Sequence, residues 1–166
     1  LGRSKQTVIL PDMAAGCSMA DMAAIEQVDH CWETLGRILP VEETVMPAVY
    51  VNSAAVLKAF CGEHGGITCT SSNAKAVIDW SWARREKILF FPDEHLGRNT
   101  ANKMGLAKEE MIVWDPFQPN GGNTRGAIQR AKLILWKGHC SVHQMFQPVH
   151  VDNFRKQYPE GKVIVH

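Results

Sequence analysis

Lys132-Leu133-Ile134-Leu135-Trp136-Lys137-Gly138-His139-Cys140-Ser141 holds four consecutive apolar residues, a small polar turn and then a helix-starting serine. A strand with one wet face alternates apolar and polar residues, whereas one covered on both faces reads as an unbroken apolar run. The stretch therefore predicts a buried parallel strand feeding a helix. Working outward, the same unit recurs in Thr7-Val8-Ile9-Leu10, stopped by Pro11-Asp12, and in Ala48-Val49-Tyr50-Val51-Asn52, Ile67-Thr68-Cys69-Thr70 and Lys87-Ile88-Leu89-Phe90-Phe91, with a last run over residues 162–165. Helical patterns lie between them. Residues 18–39 place Met22, Ile25, Val28, Trp32, Leu35 and Leu39 on one face, with Ser18 and Asp21 as a capping box that puts Cys17 at the start of the helix. Residues 53–60 read as a helix with Ala55, Val56, Ala59 and Phe60 inward, followed by helices over 74–83 and 99–105. A helical stretch over 141–158 is interrupted at Pro148. Residues 106–126 read as loop, with Asp115-Pro116 and Asn120-Gly121-Gly122 as breakers. Strands alternating with helices define an α/β protein: a parallel sheet with helices on both faces, a Rossmann-like three-layer arrangement.

Length and composition agree. The 166 residues are 45% apolar and 21% charged, with 18 basic and 17 acidic side chains and a formal net charge of +1. Such a chain buries enough apolar surface to offset its ordering entropy, which excludes disorder. Near-neutral charge gives no support to a nucleic-acid or membrane-surface role. No apolar run reaches the roughly 18 residues of a membrane span and no secretory leader is visible, so neither is expected. Five cysteines without C-x-x-C spacing suit a reducing, cytoplasmic setting better than a disulfide scaffold. Leu1 and the closing Val163-Ile164-Val165-His166 cut into ordered-looking sequence, and a fragment is expected.

In open parallel sheets, ligands bind at the carboxyl ends of the strands. Those ends carry Asp12 to Ser18, Tyr50 to Ser53, Thr70 to Asn73, Asp93 to Arg98 and Lys137 to His143: thiol, hydroxyl, amide and imidazole groups on one edge. Cys17 and Cys140 are alike, each following a strand and a small-residue turn and each followed by a serine. A thiol at a helix start favours thiolate and can hold a metal; equally, a cysteine in an α/β protein is by default a small buried hydrophobe. Cys31, Cys61 and Cys69 read as structural. Ser71, Ser72 and Asn73 are helix caps or, with free N–H groups beside them, an anion site. Tyr50 is a core aromatic or a hydroxyl aimed at a ligand. His95 and His143 read as loop and first-turn residues, and Met13, Met19 and Met22 as packing. From residues alone, the alternative to an enzyme is a non-catalytic α/β module that binds phosphate or carboxylate ligands and whose cysteines are structural or redox-sensing.

Taken in order, residues 11–22, Tyr50-Val51-Asn52-Ser53-Ala54-Ala55, Cys69-Thr70-Ser71-Ser72-Asn73-Ala74, Phe91-Pro92-Asp93-Glu94-His95-Leu96-Gly97 and Trp136-Lys137-Gly138-His139-Cys140-Ser141-Val142-His143 closely resemble the quinolinate synthase family of NAD biosynthesis. The resemblance implies three α/β domains around a pseudo-threefold axis. Residues 1–16 would end the first, 17–140 form the second and 141–166 begin the third. It implies condensation of iminoaspartate with dihydroxyacetone phosphate, with L-aspartate oxidase as supplier of the imine. It also implies a [4Fe-4S] cluster held by three cysteines, its open iron a Lewis acid. By position, Cys17 and Cys140 match two cluster ligands, the third lying outside this chain. Tyr50 matches a proton-transfer residue, Asn52 and Ser71 match substrate-binding residues, and His166 matches a histidine that binds substrate and handles protons. Cys31, Cys61 and Cys69 match no family role. A chain with two of three cluster cysteines is expected to be inactive alone.

Overall fold

The fully apolar strands leave little choice of architecture, and the computed structural model, which describes residues 7, 9, 12 and 16–164, realises it as one five-stranded sheet. After a 3-10 turn at Ala20–Met22 come α1 (Ile25–Gly36), α2 (Val41–Thr44), β1 (Val45–Tyr50), α3 (Ala55–Glu63), β2 (Ile67–Cys69), α4 (Ala74–Trp82), β3 (Lys87–Phe91) and α5 (Glu94–Lys103). The chain continues through β4 (Met111–Trp114), α6 (Arg125–Arg130), β5 (Leu133–Trp136), α7 (Ser141–Met145) and α8 (Pro148–Gln157). The strand order is β2-β1-β3-β5-β4 and every pairing is parallel.

Strand side chains alternate between faces, so each buried strand feeds two cores. Val45 and Val49 of β1, Leu89 and Phe91 of β3, and Ile134 and Trp136 of β5 pack with Val28 and Leu35 of α1 and with Leu57 and Phe60 of α3. The intervening Met46, Ala48, Ile88, Phe90, Leu133 and Leu135 pack with Val77 and Ile78 of α4 and Ala101 of α5. Helices thus cover both faces, as the continuous apolar runs predict. At Gly97 a Cβ would sit 2.6 Å from a Leu135 methyl and 2.9 Å from the Phe90 ring, so only glycine lets α5 lie this close to the sheet.

Several local expectations are corrected. The predicted helix over 18–39 starts only at Ile25: residues 20–22 form the 3-10 turn, and Ala24 is extended at the N-cap of α1. The Ser18–Asp21 capping box does not form, because Ser18 Oγ is engaged with Ser141 Oγ instead. In α3 the inward residues are Leu57, Phe60 and Cys61, while Ala55, Val56 and Ala59 are exposed. The buried face is shifted by one position from the expected one, because a run dense in apolar and small residues fits more than one helical face. α5 begins at Glu94, five residues before the expected 99, since Asp93 caps it. The supposed loop 106–126 contains edge strand β4. Residues 162–164 are not a strand, and Ile164 is 91% exposed. The first expected strand, 7–10, falls largely outside the described residues, as do Met13 and His166.

Candidate functional site

The chain leaves β1 through α3 toward β2 on one side and leaves β3 through α5 toward β4 on the other. The crevice beyond the carboxyl ends of β1 and β3 is therefore the topological switch point of the sheet, where such folds bind ligands. A cavity of about 340 Å³ lies there. Tyr50 contributes from the last position of β1 and Ser71 from the turn after β2. Asp93, His95, Leu96 and Asn99 contribute from the start of α5, and His143 from α7.

Each wall is set by local chemistry. Asp93 is 6% exposed, and one of its carboxylate oxygens accepts the backbone N–H groups of His95 at 2.8 Å and Leu96 at 3.3 Å. It is the N-cap that starts α5, and it fixes a negative charge in the wall. Burial pushes the Tyr50 hydroxyl above its ordinary pKa; a hydrogen bond with the Ser71 side chain opposes this, and the nearby Asp93 carboxylate adds to it. Tyr50 is accordingly a protonated donor at neutral pH. At the start of α4, Asn73 holds the cap position but does not cap. Its Oδ1 accepts instead from the Thr70 backbone N–H at 2.7 Å and the Thr70 hydroxyl at 3.1 Å.

The two edge cysteines meet through their neighbours. Ser18 Oγ and Ser141 Oγ are 2.7 Å apart, the Trp136 Nε1–H donates to the Met22 carbonyl at 2.8 Å, and the His139 N–H meets Met22 Sδ at 3.1 Å. Met22 therefore does more than pack. At Gly138 a Cβ would run into the Pro92 carbonyl, and Gly138 O accepts the Glu94 N–H at 2.9 Å. The glycine lets the loop carrying Cys140 press against the start of α5. Cys140 sits at the N-cap of α7, as expected; Cys17 is exposed and precedes a 3-10 turn rather than a helix. Thiolates are soft donors of the kind that iron–sulfur groups take, and Cys17 and Cys140 are the two accessible thiols among the described residues. Among the described residues no group of three His, Cys, Asp or Glu side chains is placed to hold a metal ion. Cys31, Cys61 and Cys69 are buried; desolvation holds Cys31 well above the thiol range and Cys61 and Cys69 at about 12. They are inert core residues, as read.

Of the residues singled out from sequence, Tyr50 and Ser71 share the cavity, and Cys17 and Cys140 share the adjoining edge. Asn52 is exposed just beyond β1 and does not line the cavity. Sequence spacing alone does not single out Asp93 and Asn99, and it places His95 and His143 only as loop and first-turn residues; the fold brings all four to the cavity. The usable signal for the first two was the Pro-Asp that follows β3, an N-cap pattern one residue before a helix whose next turns face the switch point.

The chain is thus a parallel α/β domain with a tyrosine hydroxyl and two imidazoles lining the crevice at its switch point and two accessible thiols on the adjoining edge, the class of open α/β sheet whose polar groups gather at the carboxyl ends of the strands. Comparison with known proteins narrows the class. The family described as quinolinate synthetase A protein matches residues 1–166, and the chain belongs to that family. It is 59% identical over 160 residues to the quinolinate synthase of Rhodopirellula baltica, covering 96% of this chain and 41% of that protein. Identity is 60% over 167 residues with the quinolinate synthase of Acidobacterium capsulatum (all of this chain, 44% of that protein) and 51% over 166 residues with that of Corynebacterium glutamicum (all of this chain, 42% of that protein). The chain spans less than half the length of these curated relatives. No helix among the described residues is long and apolar enough to cross a membrane.

Proposed function

We propose that this chain supplies one α/β domain and part of the active site of a cytoplasmic quinolinate synthase that condenses iminoaspartate with dihydroxyacetone phosphate. The observation that carries the reading is the meeting of residues 17–22 with 136–141 beside the Tyr50 and Ser71 cavity, in a chain 51–60% identical to proteins of that name. In this reading Cys17 and Cys140 are two of three cysteines that hold a [4Fe-4S] cluster. Such a cluster, when bound, supplies an open iron that polarises substrate oxygen or nitrogen.

The chain's own residues supply the rest. Tyr50, held protonated by its surroundings, donates its hydroxyl proton toward a departing oxygen or an imine nitrogen. Ser71 and Asn52 hold carboxylate or phosphate oxygens, and His166 binds substrate and relays protons. Orientation of two small substrates in a walled crevice contributes most where ring closure follows condensation. Residues 1–16 close a first domain, 17–140 form the second and 141–166 open a third. L-aspartate oxidase supplies the imine, and these 166 residues by themselves, with two of the three cluster cysteines, are inactive.

The test is anaerobic iron–sulfur reconstitution of the full-length protein carrying Cys17→Ser or Cys140→Ser. Each variant is expected to lose the cluster's visible absorbance and quinolinate formation; retention of both by either variant defeats the ligand assignment. Tight binding of three-carbon phosphates with no iron and no turnover would favour the non-catalytic binding module instead.

A further inference from the structure

We propose that Lys58, the fourth residue of α3, is a positioning residue for the site: its ammonium holds the turn after β1 that carries Asn52, and through that turn it sets where Asn52 meets a substrate oxygen. This inference deepens the proposed function and rests on the role given there to Asn52. Four residues, Val51 to Ala54, join β1 to α3. The first is pinned, since the Val51 N–H donates to the Cys69 carbonyl of β2 at 2.8 Å. The Ser53 N–H then returns to the Val51 carbonyl at 3.0 Å, which closes a three-residue turn with Asn52 at its apex.

The far end of the turn is not held by its own side chains. Ala54 is the N-cap of α3 and makes no side-chain cap, unlike Asp93 at the start of α5 and Thr124 at the start of α6. The Ser53 hydroxyl is buried and has no hydrogen-bond partner among the described residues. Lys58 does the holding: its Nζ donates to the Ser53 carbonyl at 2.7 Å from a half-buried position. A helical side chain leans toward the N-terminus of its helix, the direction that reaches Ser53, and a hydrogen bond from an ammonium is stronger than one between neutral groups.

The lysine stands where it weakens the helix. It lies at the N-terminal end of α3, the positive end of the helix dipole, where a cation is disfavoured. Among the described residues no carboxylate forms an ion pair with it. Departures from local preference gather at functional sites. Lys58 does not line the switch-point cavity, whereas Tyr50, two residues before Asn52, does. It therefore acts on substrate through the turn, and its loss leaves the tyrosine anchored in β1.

The test uses the full-length protein with Lys58→Met, which keeps most of the side chain's length and removes the donor, and Lys58→Gln as a second neutral variant. In the iron-loaded enzyme each should raise KM about tenfold for the substrate whose KM also rises in Asn52→Ala, as for one lost charge-assisted hydrogen bond. Turnover at saturation should stay within about threefold of wild type, the split that marks lost binding rather than lost chemistry. In an Asn52→Ala background, Lys58→Met should add nothing further, because both substitutions remove the same contact. In the iron-free protein, hydrogen exchange at the Ser53 amide should quicken about tenfold in Lys58→Met. Unchanged KM in both Lys58 variants, additive effects with Asn52→Ala, or native exchange at Ser53 overturns the proposal. Quickened exchange in a full-length protein that forms no quinolinate keeps the tie between Lys58 and the turn and defeats the proposed function.

Discussion

Ser18 Oγ lies 2.7 Å from Ser141 Oγ, a contact between residues 123 positions apart, each directly following one of the two accessible cysteines. The contact is exposed, so its net worth is modest, yet it ties the Cys17 and Cys140 segments to one edge. A double-mutant cycle with Ser18→Ala and Ser141→Ala should give a coupling energy of about 0.5–1.5 kcal/mol by denaturant unfolding. Additive single effects would mean that the two segments are held together by Met22 and Trp136 alone.

The cysteines divide by accessibility. In iron-free protein at neutral pH, Cys17 and Cys140 should react with a disulfide reagent, while buried Cys31, Cys61 and Cys69 should react only after denaturation. Rapid labelling of any of the three buried thiols, read by peptide mapping, would contradict the core described above.

Alkaline pH should expose the same burial thermodynamically. Cys61 and Cys69 are raised to about 12 in the folded chain, against about 8.5 for a free thiol. The folded state therefore binds more protons than the unfolded state between those values, and stability, complete below about pH 8.5, falls as pH rises toward 12. Cys69→Ala should flatten that decline in urea midpoints measured across the range; an unchanged slope would assign the decline to other groups.

Gly138→Ala forces a Cβ into the Pro92 carbonyl, a backbone atom that cannot swing aside. The expected loss is about 1–3 kcal/mol in urea unfolding, with faster labelling of Cys140 as its loop lifts from α5. A variant with native stability and native Cys140 reactivity would show that this loop has room to move.

Tyr50→Phe removes one hydroxyl from a half-buried position and leaves the ring's packing intact. In the full-length protein turnover to quinolinate should fall about 10²–10⁴-fold, the range for a lost acid–base group, with the melting temperature little changed. Turnover within about twofold of wild type would restrict Tyr50 to shaping the cavity.

Legibility in the sequence followed locality. Lys87–Phe91 reads as a strand and is one, because five consecutive buried side chains suffice to specify it. Met111–Trp114 reads as loop, because its four residues run into the breakers Asp115-Pro116 and form an edge strand only by pairing with β5, on the other side of α6. The break between Met22 and Ile25 was equally hidden. The apolar spacing runs through it, and what interrupts the helix is distant: Met22 is claimed by Trp136 and His139.

By itself the sequence determined the fold class, the buried thiols and the set of groups on the carboxyl edge, since hydrophobic periodicity and turn chemistry act over a few residues. Only the tertiary structure decided which of those groups meet. The order β2-β1-β3-β5-β4 puts the ends of β1 and β3 side by side, and with them Tyr50 and Asp93. It also seats β5 beside β3, which brings the loop before Cys140 against Pro92 and lets Met22 and Ser18 dock on it. Strand order is settled by how the covering helices share the two faces of the sheet, a packing energy summed over the whole domain that no local spacing encodes.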